Sequence, residues 1–426
     1  MEFAMNKLLL AIAITGIANA AIAEDRLDGY TLDEATAFRN EWSMDNWDDG
    51  GPLMRYVFLN MPEFWHHSII SRGGNVRELP PELRDDVSAF LTSTDKGRLP
   101  LKEYVAQSTV NGAIVLHKGQ VVFEAYPRMR PQDKHLHMSV SKGFAATLIA
   151  ILEDREQIDV GKSVESYLPS LMNSGWEGVA IRDILDMASG IGCLEGEEGA
   201  YSNPDRCYYQ YEASLGWLKA TDATMDSTFD YMATLKSHRP AGEAFEYTSP
   251  NTFVLGWLAE EISNRRYSDL LSAEIWQKMG AESDGLIVAP RRGVPIASGG
   301  ISSTLRDMAR FGLLFTPSGR DQWPRVISDR YLDNIQRNGR PEIFRADHGD
   351  ESGMIDGEPA RHNSYQWDFV MQDGDFFKGG FGGQGLYISP SRDLVIAFFG
   401  TFDEHGKGHE MTRVARQLAK SGLFDQ

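Results

Sequence analysis

The chain has 426 residues, with 42 Lys and Arg against 61 Asp and Glu, for a net charge of −19. That balance argues against nucleic acid and anionic membrane as partners, because both are bound through clustered Lys and Arg. Hydrophobic residues at 42% and aromatics at 11% describe a globular protein with a sizeable core, and the length suits one large domain or two ordinary ones.

In chain order, residues 1–23 read as a signal peptide. Lys7 opens a short charged region and residues 8–20 form an apolar run too short to span a bilayer. Ala21-Ile22-Ala23 is a small-x-small cleavage site ahead of Glu24, and Ala18-Asn19-Ala20 is a second. Export to the periplasm or beyond is the expectation, with no membrane span elsewhere. Residues 24–104 read as an irregular, partly helical extension rich in Trp, Asp and Gly.

The remainder, 105–426, reads as one α+β unit. Residues 113–117 and 120–126 are predicted strands joined by a Lys118-Gly119 turn, and Pro127 ends the hairpin. A buried helix starts at Ser139 and carries Phe144, Ala145, Leu148, Ile149 and Leu152. Between 154 and 290 the periodicity is helical, with helices predicted over 181–188, 213–220, 226–237, 251–263 and 267–279. Strands return at 376–379, 385–389 and 394–399, and a helix over 411–421 closes the chain. The fold class is therefore an antiparallel sheet flanked by helices, with an inserted all-helical subdomain. A cleft between two such lobes is a usual place for a small-molecule site.

Cys193 and Cys207 are the only cysteines. In an exported chain two cysteines at that distance are expected to bond. Closing a ~15-residue loop stabilises by roughly 3 kcal/mol in the chain-entropy model. No zinc-ligand spacing surrounds them. His405 and His409 have metal-like spacing but stand among glycines, so no metal and no cofactor is expected.

The motif with most chemistry is Ser139-Val140-Ser141-Lys142. Residues i and i+3 share a helix face, so the Lys142 amine can serve as base to the Ser139 hydroxyl. No Gly-x-Ser-x-Gly elbow competes with it. Alone, Ser-x-x-Lys is a chance-level pattern. Two later stretches give it company: Tyr247-Thr248-Ser249-Pro250-Asn251, a turn leading into a helix, and Lys378-Gly379-Gly380-Phe381 on a late strand.

These three boxes, in this order, resemble the serine β-lactamase and penicillin-binding-protein superfamily. Within it the chain is most similar to class C β-lactamases, family VIII esterases and 6-aminohexanoate-dimer hydrolases. The resemblance covers residues 105–426 and extends to connecting phrases such as Ala297-Ser298-Gly299-Gly300. It implies Ser139 as nucleophile, Lys142 as base and Tyr247 as the proton-passing tyrosine. It also implies an oxyanion hole from the N–H groups of Ser139 and Phe381, and substrate binding by Lys378, Gly379 and Gly380. Lys378 is the cation expected to lower the Lys142 pKa. Two positions depart from the family pattern. Ser249 stands where the tyrosine box has asparagine, which leaves Asn251 as the candidate replacement, and Gly379 stands where the lysine box has a hydroxyl residue. Both departures move the expected substrate away from β-lactams. The tyrosines near the cysteine loop, Tyr201, Tyr208, Tyr209 and Tyr211, supply a candidate for the pocket wall. The expectation is a secreted serine hydrolase acting on a small-molecule amide or ester. An aminohexanoate-hydrolase-like amidase leads, ahead of a carboxylesterase and then a β-lactamase or D,D-peptidase. A non-catalytic recognition domain is the reading of a different class. Oligomeric state is left open.

Overall fold

The computed structural model describes residues 29–322, 325–348 and 353–425. The predicted signal peptide over 1–23 lies outside the described residues. Seven strands form the main sheet: β1 (Val110–His117), β2 (Gln120–Ala125), β3 (His362–Ser364), β4 (Trp367–Val370), β5 (Phe376–Gly380), β6 (Gln384–Ser389) and β7 (Leu394–Gly400). Their order is β3-β4-β5-β6-β7-β1-β2, with every neighbouring pair antiparallel. The β1–β2 hairpin closes through Lys118 at φ 51° and Gly119 at φ 78°. Two left-handed residues in a two-residue turn match the twist of the flanking strands.

The alternation of β7 explains why the sheet is covered on both sides. All seven of its residues are buried. Leu394, Ile396 and Phe398 pack with Met411, Val414 and Leu418, while Val395, Ala397 and Phe399 face the opposite core with Phe144 and Leu313. Five helices frame the cavity or brace the sheet: α1 (Ser141–Asp154), α2 (Cys207–Leu215), α3 (Ser249–Ser263), α4 (Leu305–Leu313) and α5 (Met411–Ala419). Helix α4 lies on the sheet and α1 packs against α3. Phe144 of α1 stacks on Phe311 of α4 with ring centroids 3.7 Å apart. From Ser141 to Leu152 every residue of α1 is buried, so the helix next to Ser139 is fixed from all sides.

A second antiparallel sheet has the order His67–Ile70, Gly285–Val288, Ile301–Ser303, His135–Leu136. Its first strand comes from the N-terminal stretch and pairs residue by residue with Gly285–Val288. The same stretch sends Trp47, Leu53, Val57 and Phe58 into the core that holds α1.

Helices of the insertion differ in length from the periodicity. Helix α2 begins at Cys207 and stops at Gly216, whose φ of 84° caps it in the left-handed region, whereas the predicted helix spans 213–220. The predicted helix 181–188 ends at Leu185. There the Asp186 carboxylate turns inward to accept from Arg182, Arg340 and the Tyr365 N–H, and Met187 takes φ 55°. The helix predicted at Ser139 opens instead as a 3-10 turn, Met138–Val140, before α1 proper. Cys193 and Cys207 are bonded, with Cα atoms 5.2 Å apart.

Candidate active site

Ser139 and Lys142 meet as their spacing predicts. Lys142 is 1% exposed, and its Nζ donates to Ser139 Oγ at 3.0 Å. It has two further acceptors at the same distance, Ser249 Oγ and the Ser298 carbonyl. Burial pushes the lysine down to about 8; Glu195 opposes this and Lys378 adds to it. A buried amine with that value is neutral for part of the time near neutral pH, as a base must be. Ser139 follows Met138, whose φ of 48° is rare for a residue with a side chain. Such conformations cost about 1–3 kcal/mol and persist where packing enforces them.

Tyr247 lies between two amines. Lys142 Nζ is 5.1 Å and Lys378 Nζ 5.0 Å from its ring centroid. Lys378 is 1% exposed. It donates to the Tyr247 hydroxyl at 3.1 Å, to Asp368 Oδ1 at 2.7 Å and to its neighbour's carbonyl, Gly379 O, at 3.2 Å. Asp368 on β4 also accepts the Gly379 N–H at 2.9 Å, so one carboxylate fixes both the lysine and the strand that bears it. Desolvation drives the Tyr247 pKa well above the usual phenol range, with Asp368 and Glu195 adding to the rise and a hydrogen bond with Ser139 opposing it. Tyr247 is therefore a proton-bearing phenol.

Gly380 brings β5 against the nucleophile. A Cβ there would stand 2.5 Å from the His137 carbonyl oxygen and 3.1 Å from Ser139 N. Only glycine lets the two backbones approach so closely. Gly379, Gly380 and Phe381 line the cavity together with Ser139, Lys142 and Tyr247. Phe381 is 46% exposed and stands at the mouth, edge-on to Phe402.

Asn251 is not brought to the cavity, against the expectation that it replaces the missing asparagine. It is fully buried, and its Nδ2 lies 3.3 Å from Met187 Sδ. Ser249 faces Lys142 instead. The reason is helical phase: two residues apart on α3 means opposite faces. Three further residues of the site, Glu195, Ser298 and Asp368, are missing from the sequence-based set. Ser298 stands in the Ala297-Ser298-Gly299-Gly300 phrase, whose likeness to the family is a usable signal. Glu195 and Asp368 carry none.

The cavity holds about 880 Å³. One wall is aromatic and apolar: Met44, Trp47 and Trp217, with Tyr201, Tyr208 and Tyr209 from the disulfide-closed loop and α2. Tyr211 is buried in the core. The polar lining is acidic, with Asp45, Asp48, Asp49, Glu195, Glu212 and Asp368 against Lys142 and Lys219. Burial, helped by Asp49, lifts Asp48 to about 6. Burial lifts Glu212 to about 7, although the Tyr208 hydroxyl donates to it at 2.7 Å. Among the described residues no group of three His, Cys, Asp or Glu is gathered for a metal ion, and no helix is long and apolar enough to cross a membrane.

The three boxes thus converge on one cavity in the order the resemblance implied, and the chain belongs to the beta-lactamase family, whose sequence model matches residues 101–420. It is a hydrolase of that family. It is 30% identical over 375 residues to the 6-aminohexanoate-dimer hydrolase of Paenarthrobacter ureafaciens, covering 88% of this chain and 91% of that protein. Among solved structures, a Bacillus anthracis protein named for the same activity superposes with a TM-score of 0.69 at 23% identity, over 89% of this chain and 97% of the other. A family VIII carboxylesterase shares the fold at a TM-score of 0.52 and 15% identity, over 74% of this chain and 93% of its own.

Proposed function

We propose that the protein is an exported serine hydrolase that cleaves small linear amides bearing a cationic amine, through an acyl-enzyme on Ser139. The observation that carries this reading is the buried Lys142 amine 3.0 Å from Ser139 Oγ, beside Tyr247 and open to the cavity. Neutral Lys142 takes the Ser139 proton as Oγ attacks the carbonyl carbon. The N–H of Ser139 lies in the first turn of a helical segment, where donors have no intrahelical partner. With the Phe381 N–H it stabilises the oxyanion, each donor worth about 3 kcal/mol of barrier. Lys378 donates to the Tyr247 oxygen, which leaves the phenol proton free to go to the leaving nitrogen. The Lys142 proton then passes to the Tyr247 oxygen, which restores the neutral amine and the phenol. Water attacks the acyl carbon as Lys142 takes its proton, and the acyl–Oγ bond breaks as that proton returns to Ser139 Oγ.

Two features support the substrate class. The acidic lining favours an ammonium group, and the stretch along Met44, Trp47 and Trp217 suits a methylene chain between that group and the scissile amide. The relative from P. ureafaciens is named for a dimer of this kind. Export is supported by the apolar run of residues 8–20 and by the Cys193–Cys207 bond, which belongs in an oxidising compartment.

The test is a fluorophosphonate probe with Ser139→Ala as control, followed by turnover of four substrates: a p-nitrophenyl ester, a linear ω-amino amide, a D-Ala-D-Ala peptide and a chromogenic cephalosporin. An adduct at Ser139 and preference for the ω-amino amide are expected. No adduct, or unchanged turnover by Ser139→Ala, rejects the mechanism; a dominant cephalosporin rate rejects the substrate class.

A further inference from the structure

We propose that Glu195, acting through Ser249, sets the direction of the hydrogen-bond chain at Lys142 and so keeps the lysine lone pair aimed at Ser139. The inference rests on the proposed role of Lys142 as base to Ser139.

Lys142 Nζ has three oxygen neighbours at 3.0 Å: Ser139 Oγ, Ser249 Oγ and Ser298 O. An ammonium has three protons and satisfies all three. A neutral amine has two protons and one lone pair. To accept the Ser139 proton, it must give those two protons to Ser249 and Ser298. The Ser298 carbonyl can only accept. The Ser249 hydroxyl is different, because it can turn and donate to the lone pair, which would disarm the base.

Glu195 removes that choice. Its Oε2 accepts the Ser249 hydroxyl at 2.7 Å and the Ser249 N–H at 2.7 Å. A carboxylate has no proton to give, so the Ser249 proton is committed to Glu195 and a Ser249 lone pair faces Lys142. Position follows from the fold. Ser249 opens α3, whose first turn favours a negative charge. Glu195 lies two residues beyond Cys193, whose backbone carbonyl accepts from the Thr248 hydroxyl at 2.5 Å. The disulfide and the start of α3 thus hold the carboxylate against the serine.

Glu195 also acts on Lys142 by charge. The groups facing the amine are Glu195, Asp368 and Glu212, which favour the ammonium, Lys378, which disfavours it, and the proton-bearing Tyr247. Removing the Glu195 charge makes Lys142 easier to deprotonate while releasing the Ser249 rotor.

Glu195 is a positioning residue, and the test separates direction from charge. Wild type is first labelled at Ser139 and its pH–rate profile measured on a neutral ester, which has no ammonium to bind the acidic wall. Glu195→Ala, Glu195→Gln, Ser249→Ala and the double variant Glu195→Ala/Ser249→Ala follow, each checked for native melting. Glu195→Ala is expected to lower kcat roughly 10- to 100-fold with KM little changed. Glu195→Gln keeps an accepting oxygen and is expected to lose much less, while its rising pH limb moves to lower pH. The double variant is expected to cost no more than either single change, since the two side chains act as one unit. Full kcat in Glu195→Ala, equal damage from Gln and Ala, an unmoved limb in Glu195→Gln, or additive losses in the double variant would overturn the inference. Wild type that neither labels nor turns over rejects the proposed acyl-enzyme mechanism at Ser139 instead, whatever the variants do.

Discussion

Lys142 decides the pH range in which the site works. Its pKa is lowered from the ordinary lysine value to about 8, chiefly by burial. The lysine must be neutral to act, so kcat/KM is expected to rise as pH increases through about 8 and to level off above it. Lys142→Arg places a group there that stays charged at any working pH. It is expected to lower kcat by roughly 100-fold or more, and the pH profile of the residual rate should lose the rising limb. A limb that survives Lys142→Arg would assign the titration to another group. At this scale the sequence is informative where chemistry is local. Ser139 and Lys142 are three residues apart on one helical turn, so their meeting is legible. Glu195 and Ser249 are separated by 54 positions and meet only because a disulfide-closed loop returns to the start of α3. Asp368 pairs with Lys378 across adjacent strands. Nothing in one-dimensional spacing reports either contact. Asn251 failed for the opposite reason: its chemistry was suitable, but its helical phase turned it away.

Elements, not single residues, set the distance between nucleophile and oxyanion site. The end of β5 runs against the 3-10 turn that carries Ser139, and Gly380 is the contact point. A methyl group there would sit 2.5 Å from the His137 carbonyl oxygen. Backbone atoms cannot swing aside as a flexible side chain can, so β5 must retreat from the turn. Gly380→Ala is therefore expected to slow labelling of Ser139 by roughly 100-fold, with a modest drop in melting temperature, because the rest of β5 keeps its pairing with β6. Labelling at the wild-type rate would show that the strand end does not shape the hole. The strands themselves were readable, since β7 is an unbroken apolar run from Leu394 to Phe399 and the β1–β2 turn has the Lys-Gly pair. The helices of the insertion were less so. Helix α2 buries its polar Gln210, Glu212 and Ser214 along with its tyrosines and Leu215, so no amphipathic stripe marks where it begins.

Charge and connectivity act on the whole molecule. The N-terminal stretch that reads as an extension also supplies Asp45, Trp47, Asp48 and Asp49 to the cavity wall. It is held there by long-range contacts: the strand His67–Ile70 pairs with Gly285–Val288, and Trp47 and Trp65 pack on Trp217. Pairing over such a separation in sequence leaves no local pattern to read. The net charge of −19 fits a solvated acidic surface, but the structure also gathers acidic groups in the cavity, where they can act on a ligand. A low-dielectric cleft lined by one sign of charge draws in ligands of the other sign, and salt weakens the effect. KM for an amine-terminated amide is therefore expected to rise with ionic strength, whereas its N-acetylated analogue, which has no positive charge, should show little change. Asp48, with a pKa lifted to about 6, gives the effect a pH signature. Above that value it is charged and attracts the amine; as pH falls through it, the charge is lost and KM for the amine substrate should increase. Asp48→Asn is expected to raise KM at about pH 8, to leave kcat nearly constant, and to remove the KM step near pH 6, while the other carboxylates of the lining keep part of the salt dependence. Parallel salt curves for the two substrates would show that the amine binds elsewhere.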